Sequence, residues 1–138
     1  MSASTAADVV TLLAGQLVEF LETGYDAPGL FAEDVFLDYS SPLWREQTGS
    51  RAGALAVRSA GHPGTGRVPR SRVDVTTTGF VMELEEVWDE HGESWYAREM
   101  IRADVRDGSI VDLAVYCTGD WSSSRVAQHR AEVTLLRP

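Results

Sequence analysis

Residues 80–106 read FVMELEEVWDEHGESWYAREMIRADVR, and their parity decides the fold. Alternate residues of a strand point to opposite faces of a sheet. Over 80–88 the even positions are Phe80, Met82, Leu84, Glu86 and Trp88, and the odd ones are Val81, Glu83, Glu85 and Val87. Over 95–106 the odd positions are Trp95, Ala97, Glu99, Ile101, Ala103 and Val105, and the even ones are Tyr96, Arg98, Met100, Arg102, Asp104 and Arg106. Each strand therefore has one mostly apolar face, with Asp89–Ser94 as the turn between them. The polar faces match. Glu83 and Glu85 are expected across from Arg98 and Arg102 as solvent-side ion pairs, worth only ~0–1 kcal/mol each, so they report register more than stability.

Each apolar face carries one exception, Glu86 and Glu99, which antiparallel register places opposite or diagonal to one another. A carboxylate facing a core is costly unless it is paired, protonated or working. Two close together push one pKa upward, which suits a general acid or base. The plain alternative is that an arginine or ordered water satisfies each, or that a bulge shifts the parity and both are solvated.

Outward from this hairpin the period of two continues. Strand-like segments cover roughly 71–78 and 109–118, and Arg106-Asp-Gly-Ser109 signals a tight hairpin turn. Upstream the period is that of a helix. Val9, Leu12, Leu13, Leu17, Phe20 and Leu21 form one stripe over residues 5–23, with Thr5 or Asp8 as cap and Gly24 as stop. Asp34–Tyr39 reads as a first strand, residues 40–50 as a loop holding Trp44, and Arg51–Ala60 as a short helix. Gly61–Pro69 is rich in Gly and Pro and reads as an irregular connection. A last helix is expected over Ser122–Leu136, with Ser122–Ser124 as possible caps, and Asp120-Trp121 is read as capping it rather than reaching the pocket mouth. Helices first and a strand meander afterwards make an α+β domain, one unit over 1–138.

Composition excludes more than it identifies. The chain has 138 residues, 43% apolar and 24% charged, with a formal net charge of −9. That charge disfavours nucleic acid and anionic membranes as partners. One cysteine, Cys117, cannot form an internal disulfide, and no signal peptide or spanning apolar run is visible, so a cytoplasmic location is expected. His62, His91 and His129 are scattered, so no metal site is expected, and no phosphate-binding glycine loop calls for a nucleotide cofactor.

The ordered helices, Leu30-Phe-Ala-Glu-Asp34 and Val105-Arg-Asp-Gly-Ser-Ile-Val-Asp-Leu-Ala-Val-Tyr116 resemble the nuclear transport factor two-like superfamily. Within it the chain is most similar to the SnoaL-like polyketide cyclase and ketosteroid isomerase branch. The resemblance covers nearly the whole chain. It implies a cone-shaped half-barrel, a curved antiparallel sheet of six strands or fewer wrapped around about three helices, with a deep apolar pocket, and a homodimer. Fold does not decide function here, because such folds carry isomerases, cyclases, dehydratases, epoxide hydrolases and plain binding subunits. The isomerase base falls at Tyr39 in a gapless match, with Asp38 beside it; a shift of one residue turns Asp38 inward. The isomerase's protonated aspartate falls near Ile101, which cannot donate, and Glu99 lies two residues earlier on the same face.

The expected site follows. Glu86, Glu99, Asp38 and His62 are the acid/base candidates; His62 is pinned between Gly61 and Pro63, and the resemblance implies that its segment lies near the pocket mouth. Tyr39, Trp44, Trp88 and Cys117 are the expected substrate-binding residues, with Trp44 as a lid. Cys117 shares the inward parity of Val111, Leu113 and Val115 and, with no base fixed beside it, is read as a small inward group rather than a nucleophile. The expected activity is cofactor-independent proton-transfer chemistry, namely cyclisation, isomerisation, dehydration or epoxide opening, on a small apolar or polyketide-like molecule. The alternative is a binding or assembly protein in which both glutamates are locked in salt bridges.

Overall fold

Thr5 and Asp8 start the first helix together: each backbone N–H donates to the other's side chain at 3.1 Å, a reciprocal capping box. The structure is a computed structural model and describes residues 5–138; Met1–Ser4, on which part of the expectation of no signal peptide rests, lie outside the described residues. Helix α1 runs Ala6–Thr23 and stops at Gly24, whose φ of 80° is the left-handed cap conformation. It buries Val10, Leu13, Ala14, Leu17, Phe20 and Leu21. Leu12, expected in that stripe, is 60% exposed, because Val10 rather than Val9–Leu12 leads the inward face.

The strands are β1 (Phe31–Ser41), β2 (Trp44–Thr48), β3 (Gly66–Val75), β4 (Gly79–Glu90), β5 (Glu93–Arg106), β6 (Ser109–Cys117) and β7 (Trp121–Ser122); α2 (Arg51–Gly61) follows β2, and α3 (Ser123–Glu132) follows β7. The main path orders them β2-β1-β6-β5-β4-β3, with β7 pairing β5. The sheet is curved and unclosed, the α+β cone that was expected. Two details differ from the expectation. The sheet has seven strands rather than six, and it is mixed: β1 pairs β6 in parallel, while the other pairings are antiparallel. A parallel neighbour needs a long crossover, and here everything from β2 to β5 lies between the two strands.

Both tight hairpins rest on residues with positive φ, His91-Gly92 (54° and 76°) and Asp107-Gly108 (53° and 78°). Such two-residue loops match the right-handed twist of the strands they join. Two segments expected to be irregular are strands. Gly66–Pro69 pairs with β4 because β3 is an edge strand and its register shifts between Arg67 and Arg70, so Pro69 sits in a bulge where no ladder N–H is required. Trp44–Thr48 is the opposite edge, turned back on β1 by Pro42-Leu43. The last helix ends at Glu132, short of Leu136, and its cap is Ser122, one of the expected serines, which accepts from Arg125 N–H at 3.2 Å; Asp120, also read as capping, does not cap it.

The concave side of the sheet lies against α1 and α2. Phe80, Met82, Leu84, Ile101 and Ala103 meet Leu13, Leu17 and Phe20 in one apolar core, with Phe20 and Phe31 packed edge to face at 5.2 Å. Each fully buried side chain of this size contributes about 1.5–3 kcal/mol. Among the described residues no helix is long and apolar enough to cross a membrane.

Candidate functional site

The core does not fill the cone. A cavity of about 360 Å³ remains between α1, α2 and the strands β1, β2, β5 and β6. Its walls are apolar (Leu17, Phe20, Leu37, Ile101, Leu113 and Val115 among them) and its polar groups are few: Tyr39, Ser41, Glu46, Arg58, His62 and Glu99. A largely apolar cavity with a handful of converging polar groups is the usual form of a small-molecule site.

Register explains how the glutamates arrive. Glu86 pairs with Ala97 and Leu84 with Glu99, so the two carboxyls are diagonal neighbours on the concave face. Glu86 is 3% exposed and Glu99 6%. Arg58 of α2 reaches down to Glu86 with both nitrogens, Nη2 donating to Oε1 at 2.5 Å and Nη1 to Oε2 at 3.1 Å. Nη2 also donates to the Leu21 carbonyl at 2.8 Å, which fixes the guanidinium against α1. One cation thus serves two buried carboxyls, and Glu86 has taken it.

The electrostatic result is a division of labour. Burial pushes Glu99 far above the usual glutamate range, and the neighbouring Glu86 carboxylate pushes the same way. Glu99 is therefore a neutral acid that donates its proton toward Glu86. Burial also opposes charge on Glu86, but the hydrogen bonds from Glu99 and Arg58 outweigh it and hold Glu86 ionised below its usual value. Burial likewise works against the charge of Arg58, and the bond and charge of Glu86 overcome it. Glu99 lines the cavity, whereas Glu86 lies behind it in the ion pair.

His62 ends α2, one helical turn after Arg58, its N–H bonded to the Arg58 carbonyl at 2.8 Å. Its ring lines the cavity and stands edge-on to Trp88 at 4.2 Å. Burial, then the charge of Arg58, lowers its pKa, so the imidazole is neutral near pH 7 and one ring nitrogen is a base. Asp120 Oδ1 approaches His62 Nε2 at 3.8 Å, beyond hydrogen-bond distance.

The remaining candidates divide by strand face. Leu37, Tyr39 and Ser41 of β1 point into the cavity. Asp38 points the other way, bound by Arg45 at 2.6 and 2.9 Å, so the strand register turns Tyr39 inward and keeps Asp38 out of the cavity. Trp44 stands at the cavity wall and is 63% exposed, its indole N–H donating to Glu46 Oε2 at 2.6 Å. Trp88 does not line the cavity; it backs His62. Cys117 also sits behind the wall, where burial and then Glu99 push its thiol up to about 11, and it neighbours Tyr39, whose hydroxyl burial holds neutral.

Two charged cavity residues, Arg58 and Glu46, were absent from the sequence-based set. Arg58 could not be found, because it reaches Glu86 from a helix packed on the sheet, which leaves no short-range pattern in the sequence. Nor could Glu46, because β2 was read as loop; once Tyr39 pairs with Glu46, the parity of Trp44 and Glu46 places both inside. Among the described residues no group of three or more His, Cys, Asp or Glu side chains is arranged to hold a metal ion.

No protein-family model matches the chain, and no curated protein matches it. Solved structures do. An NTF2-like protein from Anabaena variabilis superposes with a TM-score of 0.70 at 17% identity, over 87% of this chain and 96% of its own. A candidate polyketide cyclase from Xanthomonas campestris gives 0.65 at 22%, over 81% and 92%. A candidate ketosteroid isomerase from Kribbella flavida gives 0.58 at 21%, over 83% and 81%. At these identities the likeness shows the fold, which is the NTF2-like one the sequence resembled.

Proposed function

We propose that the chain is an enzyme that moves protons on a small, largely apolar carbonyl compound without a cofactor. One observation carries this reading: Glu99 lines an apolar cavity as a buried carboxyl whose arginine is already committed to Glu86. A carboxylic acid kept neutral can donate a hydrogen bond to an oxygen that gains negative charge. His62, a neutral imidazole in the same cavity, is the base.

In the resulting step His62 takes a proton from the carbon next to a carbonyl held in the cavity. The C–H electron pair moves into the carbon framework, and the carbonyl oxygen gains the charge. Glu99 turns its one proton from Glu86, which keeps both bonds from Arg58, to that oxygen, and the imidazolium returns its proton to carbon or to a departing oxygen. Return at a different carbon isomerises, return to a hydroxyl leaving group dehydrates, and attack of the enolate on a second carbonyl closes a ring. Positioned acid and base groups contribute about 10²–10⁴-fold each. Arg58–Glu86 is net neutral and holds the floor of the site rigid. The candidate cyclase and isomerase among the structural neighbours support this class of chemistry.

The test uses 2-tetralone in deuterated buffer, with exchange of its α-protons followed by NMR. Catalysed exchange should fall about 100-fold or more in His62→Ala and in Glu99→Ala, in line with the loss of a positioned acid or base. Exchange no faster than with serum albumin, or undiminished in both variants, sinks the reading. The second reading is a binding protein, favoured by the lock of Arg58 on Glu86; saturable binding with no exchange would establish it. A homodimer belongs to the proposal too, with Met100 and Tyr116, exposed partners across β5 and β6, as apolar groups it would cover. A monomeric mass by sedimentation at tens of micromolar rejects that part.

A further inference from the structure

The charges around the cavity are unequal at its two ends. At the inner end Arg58 and Glu86 cancel, and Glu99 and His62 are neutral. At the outer end Glu46 stands on the cavity wall beside Trp44. Its Oε2 accepts the Trp44 indole N–H at 2.6 Å, and its Oε1 takes no hydrogen bond from the described residues. The nearest arginine in sequence, Arg45, points to the opposite face of β2 and is bound bidentately by Asp38. Glu46 is therefore a pinned carboxylate with no cation of its own, facing the space a ligand would fill.

Pinning matters because a carboxylate on a free side chain discriminates poorly. The indole bond fixes the orientation of Glu46 before a ligand arrives, so little rotamer freedom is lost on binding. The aromatic ring beside it adds an apolar surface that tolerates an alkylammonium group. The whole protein carries a formal net charge of −9, which attracts cations and repels acids during encounter.

We propose that this cavity selects molecules with an apolar body and a protonated amine at the outer end, held by Glu46 and Trp44, and disfavours carboxylates and phosphates. The proposal rests on the cavity being a ligand site, as the proposed function does, and narrows its substrate to an amine-bearing carbonyl compound. The carbonyl faces Glu99 and His62, and the ammonium faces Glu46.

Binding of three probes of one shape tests it by calorimetry at pH 7.5: 4-phenylbutylamine, 4-phenylbutan-1-ol and 4-phenylbutyrate. The amine should bind about tenfold tighter than the alcohol, as one partly screened ion pair allows, and the acid weaker than both. The preference should shrink in 0.5 M salt and vanish in Glu46→Gln, whose melting temperature checks that it is folded. Glu99→Gln should leave the preference in place. An acid that binds as well as the amine, or a preference that survives in Glu46→Gln, overturns the amine assignment while leaving the tetralone exchange result to stand. No binding by any of the three at millimolar concentration overturns the cavity as a ligand site, and with it both readings.

Discussion

The β4–β5 hairpin carries similar charged residues on its two faces and uses them in opposite ways. On the convex face Arg98 donates to Glu83 at 3.0 Å and Arg102 to Asp112 at 3.3 Å, both exposed to water. On the concave face Glu86 and Glu99 are almost wholly buried and share one arginine brought from a helix. Outside, each charge is solvated whether or not it finds a partner. Inside, a shortage of one cation forces one carboxyl to give up its charge. Burial, rather than residue type, turns an ion pair into chemistry.

The largest effect expected from this contrast is the removal of Arg58. In Arg58→Met, Glu86 is left buried without its cation, which should cost about 3–5 kcal/mol by urea unfolding. Removing Glu86 as well, in Arg58→Met/Glu86→Met, should recover most of the loss, because a well-packed apolar pair replaces a buried ionic one at little cost. A double variant as unstable as the single one would mean that Arg58 matters for its bond to the Leu21 carbonyl, not for charge balance.

This concave arrangement was half legible in the sequence. Parity over 80–88 and 95–106 turned Glu86 and Glu99 inward and made them opposite or diagonal, since period two is a strong signal in long central strands; the register makes them diagonal. Their partner was not legible, because Arg58 arrives from α2, and packing between a helix and a sheet leaves no short-range pattern. The convex face was legible only in kind. Arg102 was expected opposite Glu83 or Glu85 but pairs across with Val81 and reaches Asp112 on β6 instead. Edge strands were the weakest point. Pro69 and Gly66 hid the first half of β3, and the polar run Trp44–Thr48 hid β2, because an edge needs neither a continuous apolar face nor every ladder N–H. That omission also hid Glu46. The first-strand register stayed open between Asp38 and Tyr39 until β2 supplied Arg45 to hold Asp38 outside.

A pH series sharpens the same contrast. Glu99 is raised in the folded protein, so the folded state keeps a proton that the unfolded chain releases above its ordinary value of 4.5. Stability from Glu99 is thus fully present below that value and is lost as pH rises toward the folded pKa, by up to ~1.4 kcal/mol per pH unit. Glu86, held low, contributes in the other direction: its stability is present above 4.5 and lost as pH falls through its folded pKa. His62 is also held low and destabilises the fold as pH drops below 6.5. Subtracting the Glu99→Gln curve from that of the parent isolates Glu99, since glutamine keeps the donor toward Glu86 but cannot titrate. The difference should fall with pH above 4.5; a flat difference would show that Glu99 ionises as freely as in the unfolded chain.

The smallest effect belongs to the convex face. Arg98 and Glu83 form a pair with geometry as good as much of the interior, 3.0 Å between nitrogen and oxygen. Water screens both partners, so Arg98→Ala should cost only ~0–1 kcal/mol, and 0.5 M salt should erase most of that difference. Salt should barely change the cost of Arg58→Met, because no counter-ion reaches the buried pair. The comparison therefore has a stringent form, deletion of one arginine against each face of the hairpin, measured in two salt concentrations. If Arg98→Ala proves as costly as Arg58→Met, or equally resistant to salt, then the convex face is also dry in solution. Something must then cover it, and the exposed Met100 and Tyr116 beside Arg98 make a second copy of the chain the first candidate to weigh by sedimentation.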